Sequence, residues 1–385
     1  MKKNWKTQVS ILSIGHGITD IYGSVYSPLL PALVRKLALS NADVGLLATV
    51  LSTGTSLVQV LFGYLADRLG KPIWMVVGPT VAAVFICSLG FAPSFPVLLA
   101  FLFLGGCGIA AYHPQAAAAA GRVHARYKGR VMSIFAVGGA VGFASGPLLM
   151  GKLGLERTHW AVFPGLLLTL ALYWMLFRRH TLVFPEPQRS CGALFRALLP
   201  NIAPITLLFL IAAFRACTSI AYVTFLPLFL EEQGVVSTGG WVSLFLYAGG
   251  IGTLLGGTLS DYMSRKNLLV ISLIGAVPLL YLFPRCTGWM FAAFLFLGGF
   301  ILSSSLPVNI ILGQQLLPQS ASMASSFMMG LTWGVGGLMQ MPIGRFADLS
   351  GVSATIRWLP IIPLVATGFA LLIAEDRVRT HVDTK

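Results

Sequence analysis

Gly63-Tyr-Leu-Ala-Asp67-Arg68-Leu-Gly70-Lys71 and Gly257-Thr-Leu-Ser-Asp261-Tyr-Met-Ser-Arg265 are two copies of one pattern, set about half of the 385-residue chain apart. Each copy closes one long apolar run and opens the way to the next. A repeat in that setting means two related halves, and runs this apolar mean that both halves cross a membrane.

Composition points the same way. Hydrophobic residues make up 56% of the chain and charged residues 10%, and the mean hydropathy is +0.82, far from the usage of water-soluble domains. At ~20 residues per crossing, twelve spans need ~240 residues, which leaves short loops and no room for a sizeable soluble or catalytic domain. An enzyme is therefore not expected. The net charge of +14 is spread over short loops and forms no single basic element, so no nucleic-acid partner is expected either.

Lys2, Lys3 and Lys6 precede the first apolar run, as they would in a signal peptide. That run contains His16 and Asp20 and lacks a small-residue cleavage site, so it reads as the first spanning helix. Cys87, Cys107, Cys191, Cys217 and Cys286 have neither metal-ligand nor disulfide-framework spacing and read as reduced packing residues. No metal site and no cofactor are expected.

The spans predicted for the first half are residues 9 to 34, 44 to 66, 73 to 91, 96 to 120, 131 to 151 and 160 to 177. Those of the second half are 200 to 230, 241 to 260, 267 to 283, 289 to 317, 323 to 347 and 356 to 374. The fold class is thus an all-α integral membrane protein of twelve helices in two pseudo-symmetric six-helix bundles. Residues 1–177 form the first bundle, 178–199 a polar linker with Arg178, Arg179, Pro185, Pro187 and Arg189, and 200–385 the second bundle. Most loop cations, among them Lys2, Lys3, Lys6, Arg68, Lys71, Arg122, Arg126, Lys128, Arg130, Arg178 and Arg179, fall on the side of the N-terminus. Positive loops stay inside, so both termini are expected in the cytoplasm.

The stretch Gly63 to Lys71 resembles the G-x-L-A-D-R-x-G-R-K loop of the major facilitator superfamily, with Pro72 where the pattern often continues basic. The resemblance implies a carrier whose Gly63, Asp67, Arg68, Gly70 and Lys71, with Asp261 and Arg265 of the second copy, gate one side. An acid at a helix end can face the positive N-terminus of a neighbouring helix. The bland alternative is a set of solvated loop charges. Gly138-Gly139-Ala-Val-Gly142-Phe-Ala-Ser-Gly146-Pro147 is similar to the glycine-and-proline motif on the fifth helix of facilitator antiporters. Small residues four apart allow close helix packing and Pro147 bends the helix, which already accounts for the pattern. Gly334, Gly336 and Gly337 repeat the device and read as packing.

Scattered fragments carry a narrower resemblance: His16-x-x-x-Asp20, Ser27-Pro-Leu-Leu-Pro31, Ala111-Tyr-His113-Pro114, Ser133-Ile-Phe, Phe225-Leu-Pro227-Leu, Gln315-Leu-Leu-Pro318 and Trp333-Gly-Val-Gly-Gly337. In order and spacing they resemble the fosmidomycin resistance family of bacterial efflux carriers. Members often carry an acid after the His-Pro pair, where this chain has Gln115. The resemblance implies a bacterial inner-membrane protein, read as a monomer in the lipid bilayer. It would exchange protons for a small organic substrate, with the proton gradient as the energy source.

Few ionisable residues lie inside the spans, and each costs ~2.5 to 3.5 kcal/mol at a helix centre unless it finds a partner or a watery cavity. His16 and Asp20 are four apart and share a helix face. With His113 they form the expected proton-coupling set, although Asp20 as a structural partner and His113 as the satisfier of a kink at Pro114, near the carbonyl of Ala110, stay open. Arg215 suits a carboxylate or phosphonate. Aligning Pro31 with Pro227 places it opposite Thr19, so Asp20 and Arg215 are expected at one central cavity. Tyr112, His113, Gln115, Gln315 and Trp333 complete the expected substrate contacts, with Gln59, Asn309, Gln314 and Gln340 as further polar candidates that serve equally as interhelical glue. Efflux by proton exchange is the first reading. Proton symport of a small organic anion is the second, because an anion on Arg215 and a proton on Asp20 would bind best together. A membrane receptor that does not transport is the third.

Overall fold

A computed structural model describes residues 5–69, 72–124, 128–178, 202–317 and 327–373. The described residues are helical with no strand. Ten segments are long and apolar enough to cross a membrane: α2 (Asn41–Leu65), α3 (Ile73–Phe91), α4 (Phe95–Ala120), α5 (Arg130–Leu153), α6 (Leu155–Leu176), α7 (Ile202–Glu232), α8 (Gly239–Leu259), α9 (Arg265–Arg285), α10 (Gly288–Leu316) and α12 (Val352–Leu371). Ahead of them lies α1 (Trp5–Ser24). Between α10 and α12, residues 327–350 form the broken helical segment α11. Together these are the twelve helices of an all-α membrane protein.

Several expected spans depart from a single straight helix, among them 289 to 317, which turns at Ser304 and Ser305, and 356 to 374, which turns at Leu359 and Pro360. The run 9 to 34 breaks after Ser24 into a short 3-10 turn, Ser27–Leu29, and a second helix, Leu30–Leu37, that ends on Ala38 with φ 50°. Pro28 supplies no backbone N–H to the 3-10 turn, and Pro31 supplies none to the first turn of the helix that follows. In α11, helix Thr332–Leu338 gives way at Met339 to helix Gln340–Ser350. There Pro342 removes the N–H that would bond to Leu338.

The chain folds into two compact units. One contains Met1–Ser40, Leu47–Arg189 and Val236–Ser243, the other Asn41–Leu46, Ser190–Val235 and Leu244–Lys385. Apart from Arg178, the expected linker 178–199 lies outside the described residues. So does Cys191, while Cys87, Cys107, Cys217 and Cys286 are free thiols.

In the first unit the α1–α5 seam is built from residues that barely have side chains. A Cβ on Gly138 would strike Ser13, one on Gly142 would strike the backbone of Gly17, and one on Gly146 would strike Ile21 and Ser24. The partners advance by four on both helices, so the two run parallel with backbones touching. Hydroxyls pin the seam: Ser13 Oγ donates to the Ile134 carbonyl at 2.7 Å and Ser24 Oγ to that of Phe143 at 2.6 Å. In the second unit Gly336 packs in the same way on Ala216 and Cys217 of α7.

The faces turned away from these seams are apolar. On α6, Phe163, Leu167, Leu170 and Trp174 make an exposed stripe at helical spacing, with Leu167 and Leu170 at 65% and 64%. A soluble protein would not leave such a stripe bare, and a lipid-facing helix must. In the second unit, Asp348 near the end of α11 accepts hydrogen bonds from the backbone N–H groups of Asn41 at 2.7 Å and Ala42 at 3.0 Å, capping the first turn of α2.

Replacing Gly142 with Val should force α5 off α1 at the cost of about 1 to 3 kcal/mol. The midpoint of thermal unfolding in detergent, followed by tryptophan fluorescence, is expected to fall by several degrees, and an unchanged midpoint would count against the seam.

Candidate site: an acid held between two histidines

Helical spacing puts His16 and Asp20 on one face of α1, and the packing of α4 against that face brings in His113. His16 Nε2 lies 3.2 Å from Asp20 Oδ2, and His113 Nε2 lies 2.9 Å from Asp20 Oδ1. The rings meet edge to face with centroids 5.0 Å apart, and His16 stacks on Phe135 of α5 at 4.1 Å. The side chains are 13% (His16), 18% (Asp20) and 20% (His113) exposed, so the cluster is enclosed and still reachable.

The other nitrogen of each ring decides the chemistry. His16 Nδ1 lies 2.9 Å from the Phe135 carbonyl and His113 Nδ1 lies 2.7 Å from that of Ile109. A carbonyl oxygen only accepts, so each Nδ1 carries the hydrogen and each neutral ring presents a lone pair at Nε2. That lone pair faces a carboxylate oxygen, which also only accepts when ionised. Each of the two contacts is attractive only with a hydrogen in it, so the cluster closes with two hydrogens and has two lone-pair clashes without them.

His113 bonds the carbonyl of Ile109, four residues back, whereas the structural alternative left open by the sequence had it near the carbonyl of Ala110 freed by Pro114. Its second nitrogen goes to Asp20, so the ring joins α4 to the acid on α1. Gly139 walls the cluster: a Cβ there would come within 2.6 Å of His16 Nε2 and 2.7 Å of Asp20 Oδ2.

Arg215 belongs to the second unit. It sits midway along α7 with 1% exposure, and its Nε has no hydrogen-bond partner among the described residues. The guanidinium carbon lies 5.7 Å from the ring centroid of Trp333 on α11, within cation–π range. The side-chain amide of Asn309 on α10 is also buried and without a partner among the described residues. Gln340 instead donates to the carbonyls of Cys217 at 3.1 Å and Gly336 at 2.8 Å, joining α11 to α7.

Other expected substrate contacts are engaged elsewhere. Tyr112 is fully buried and its hydroxyl donates to the Leu12 carbonyl at 3.2 Å. Gln115 is buried and its Oε1 accepts from the N–H of Met75, one of the orphan donors in the first turn of α3. Gln315 is exposed near the end of α10. Of the expected gate, Gly70 and Lys71 and the side chains of Asp67 and Arg68 lie outside the described residues. Gly63 packs near Pro114. Asp261 is exposed on the turn after α8, and Arg265, the first residue of α9, is half-buried with Nε and Nη1 lacking partners among the described residues.

A twelve-helix membrane protein with an acid and a cation inside its spans has the makings of a carrier. Residues 12–339 match the Major Facilitator Superfamily model, and the chain belongs to that family. It is 27% identical to an uncharacterized MFS-type transporter, YfnC, of Bacillus subtilis, over 96% of this chain and 93% of that one. It is 26% identical to the fosmidomycin resistance protein of Escherichia coli, over 92% and 89%. Among solved structures, an inward-facing bacterial homolog of the human lysosomal transporter Spinster superimposes with a TM-score of 0.83 at 17% identity, covering 98% of each chain. A D-xylose-proton symporter gives 0.77 at 15%, covering 98% of this chain and all of that one. The protein is thus a multi-pass membrane protein of transporter type.

Gly139→Ala should displace the His16–Asp20 pair while leaving Gly138 and the seam untouched. In a reconstituted assay we expect any substrate-driven proton flux to drop at least about tenfold, in line with the cost of ångström-scale misplacement. Flux equal to the parent's would show that the cluster is not the proton route.

Proposed function

We propose that this chain is a proton-coupled secondary carrier that expels a small organic substrate from bacteria by alternating access, both termini being cytoplasmic. The observation that carries the reading is the His16–Asp20–His113 cluster, whose two Nε2–carboxylate contacts form only when hydrogens are loaded. Such a group has two distinct electrostatic states and sits on helices that a carrier must move. The likeness to a protein named for fosmidomycin resistance supports a drug-like substrate of phosphonate type and the outward direction. Asp67 and its loop are assigned the role of a state lock, and the protein acts as a monomer.

Arg215 favours a second reading, uptake of a small organic anion together with protons. A buried guanidinium with an unfilled Nε carries a desolvation cost that an arriving carboxylate or phosphonate would offset. Trp333 beside it offers a flat apolar surface to the rest of such a molecule.

Purified protein in liposomes loaded with a pH dye tests both readings. Addition of fosmidomycin or another small phosphonate should drive protons against the drug, and Asp20→Asn should abolish the signal in a protein that remains monodisperse. Movement of protons with the drug would overturn export and favour symport. Proton flux undiminished in Asp20→Asn would remove the acid from the mechanism.

A second prediction concerns Arg215→Met. Substrate-driven flux should fall below the detection limit while thermal stability holds or rises, because the change removes a buried unpaired charge. Loss of stability with flux retained would make Arg215 structural.

A further inference from the structure

We propose that His16, Asp20 and His113 form a binding site for one divalent transition-metal ion of the Zn²⁺ class. The sequence shows only two of the donors together, four apart on α1. The third comes from α4 and is brought in by packing. Two imidazole nitrogens and one carboxylate oxygen are a donor set that such an ion takes with one position left for water.

Geometry carries the proposal further than donor type. Both rings give their Nδ1–H to backbone carbonyls, at 2.9 Å for His16 and 2.7 Å for His113. That is the outer-shell arrangement that fixes a metal-binding histidine with its free lone pair pointing inward. The donor atoms all lie within 4.8 Å of one another, with Nε2–carboxylate separations of 3.2 and 2.9 Å. Bonds of about 2.0 to 2.2 Å at tetrahedral angles place donor atoms roughly 3.3 to 3.6 Å apart. The two short separations end on different oxygens of Asp20, so an ion bound through one of them keeps one edge near its present length and draws the other ring inward from within 4.8 Å. Phe135 stacked on His16 and Gly139 against Asp20 leave the donors little freedom to turn away.

All three side chains are partly exposed, so the cluster is open to an ion from outside. An ion seated there would tie α1 to α4.

The test uses the full chain with any affinity tag removed, titrated with Zn²⁺ in a calorimeter and, separately, loaded with Zn²⁺ for X-ray absorption. One saturable site per chain is expected, with two imidazole ligands in the absorption spectrum. Its affinity should weaken at least about tenfold in both Asp20→Asn and His113→Asn, each first shown to be monodisperse with a normal melt. Mg²⁺, which prefers six oxygen ligands, should give no heat at this site. Absence of saturable Zn²⁺ binding, or binding that both variants keep at full strength, would overturn the proposal. Proton movement in liposomes decides the transport reading and metal stoichiometry decides this one, so either can fail alone.

Discussion

An acid in a membrane-spanning helix must be matched, and the first unit is arranged around matching Asp20. The cost of ~2.5 to 3.5 kcal/mol for an uncompensated charge at a helix centre exceeds what single interhelical hydrogen bonds return in membranes, which average ~0.6 kcal/mol. Two histidines meet that cost together, and only because other atoms aim them. Phe135 and Ile109 contribute carbonyls, and these choose the nitrogen that faces the acid. Phe135 is on α5, so its carbonyl reaches His16 only if α1 and α5 pack with backbones touching. The glycines at 138, 142 and 146 are the condition for that approach. The glycine motif and the acid are one construction, in which the first sets the distance that the second requires.

Arg215 poses the opposite problem and the second unit leaves it unsolved. Asp20 has two partners at hydrogen-bond range, whereas Arg215 is fully enclosed with an idle Nε among the described residues and an aromatic ring for company. The tenths of a kcal/mol to about two that a cation–π contact supplies do not match the desolvation of a guanidinium. A stable scaffold would gain by replacing it. On the proposed anion-uptake reading, the missing partner is the transported anion, which arrives and departs.

The fold was legible in the sequence because membrane insertion imposes a length and a polarity on every segment. The His16–Asp20 pair was legible for a similar reason, since helix geometry puts residues four apart on one face. His113 was visible as an intramembrane polar residue, but its contact with an acid 93 positions earlier has no local signature. Tyr112 and Gln115 show the limit from the other side. In the sequence they look like cavity groups beside His113, and in the structure they satisfy Leu12 and Met75 of neighbouring helices. A polar residue in an apolar run announces that it needs a partner, without saying whether the partner is a ligand or the next helix. Phe135 and Gly139 were invisible as site residues because one contributes a backbone oxygen and a stacked ring and the other an absence of atoms.

The same physics acts at the end of α11. Gly344-Arg-Phe-Ala-Asp348-Leu-Ser-Gly351 has the glycine-to-acid spacing of Gly63-Tyr-Leu-Ala-Asp67-Arg-Leu-Gly70, although it closes α11 and lies outside the two-copy repeat. Its workings are visible. Gly344 leaves no room for a side chain between itself and the backbone at Asn41 and Ala42, and one turn on, Asp348 accepts from the N–H groups of those same two residues. The glycine permits the approach and the acid uses it, taking two orphan donors at the positive end of a helix. A Glu in place of Asp348 would carry the same charge, but its extra methylene would not fit the distance that Gly344 sets. The spacing of four puts Gly344 and Asp348 one turn apart on α11, so that both meet the start of the same helix.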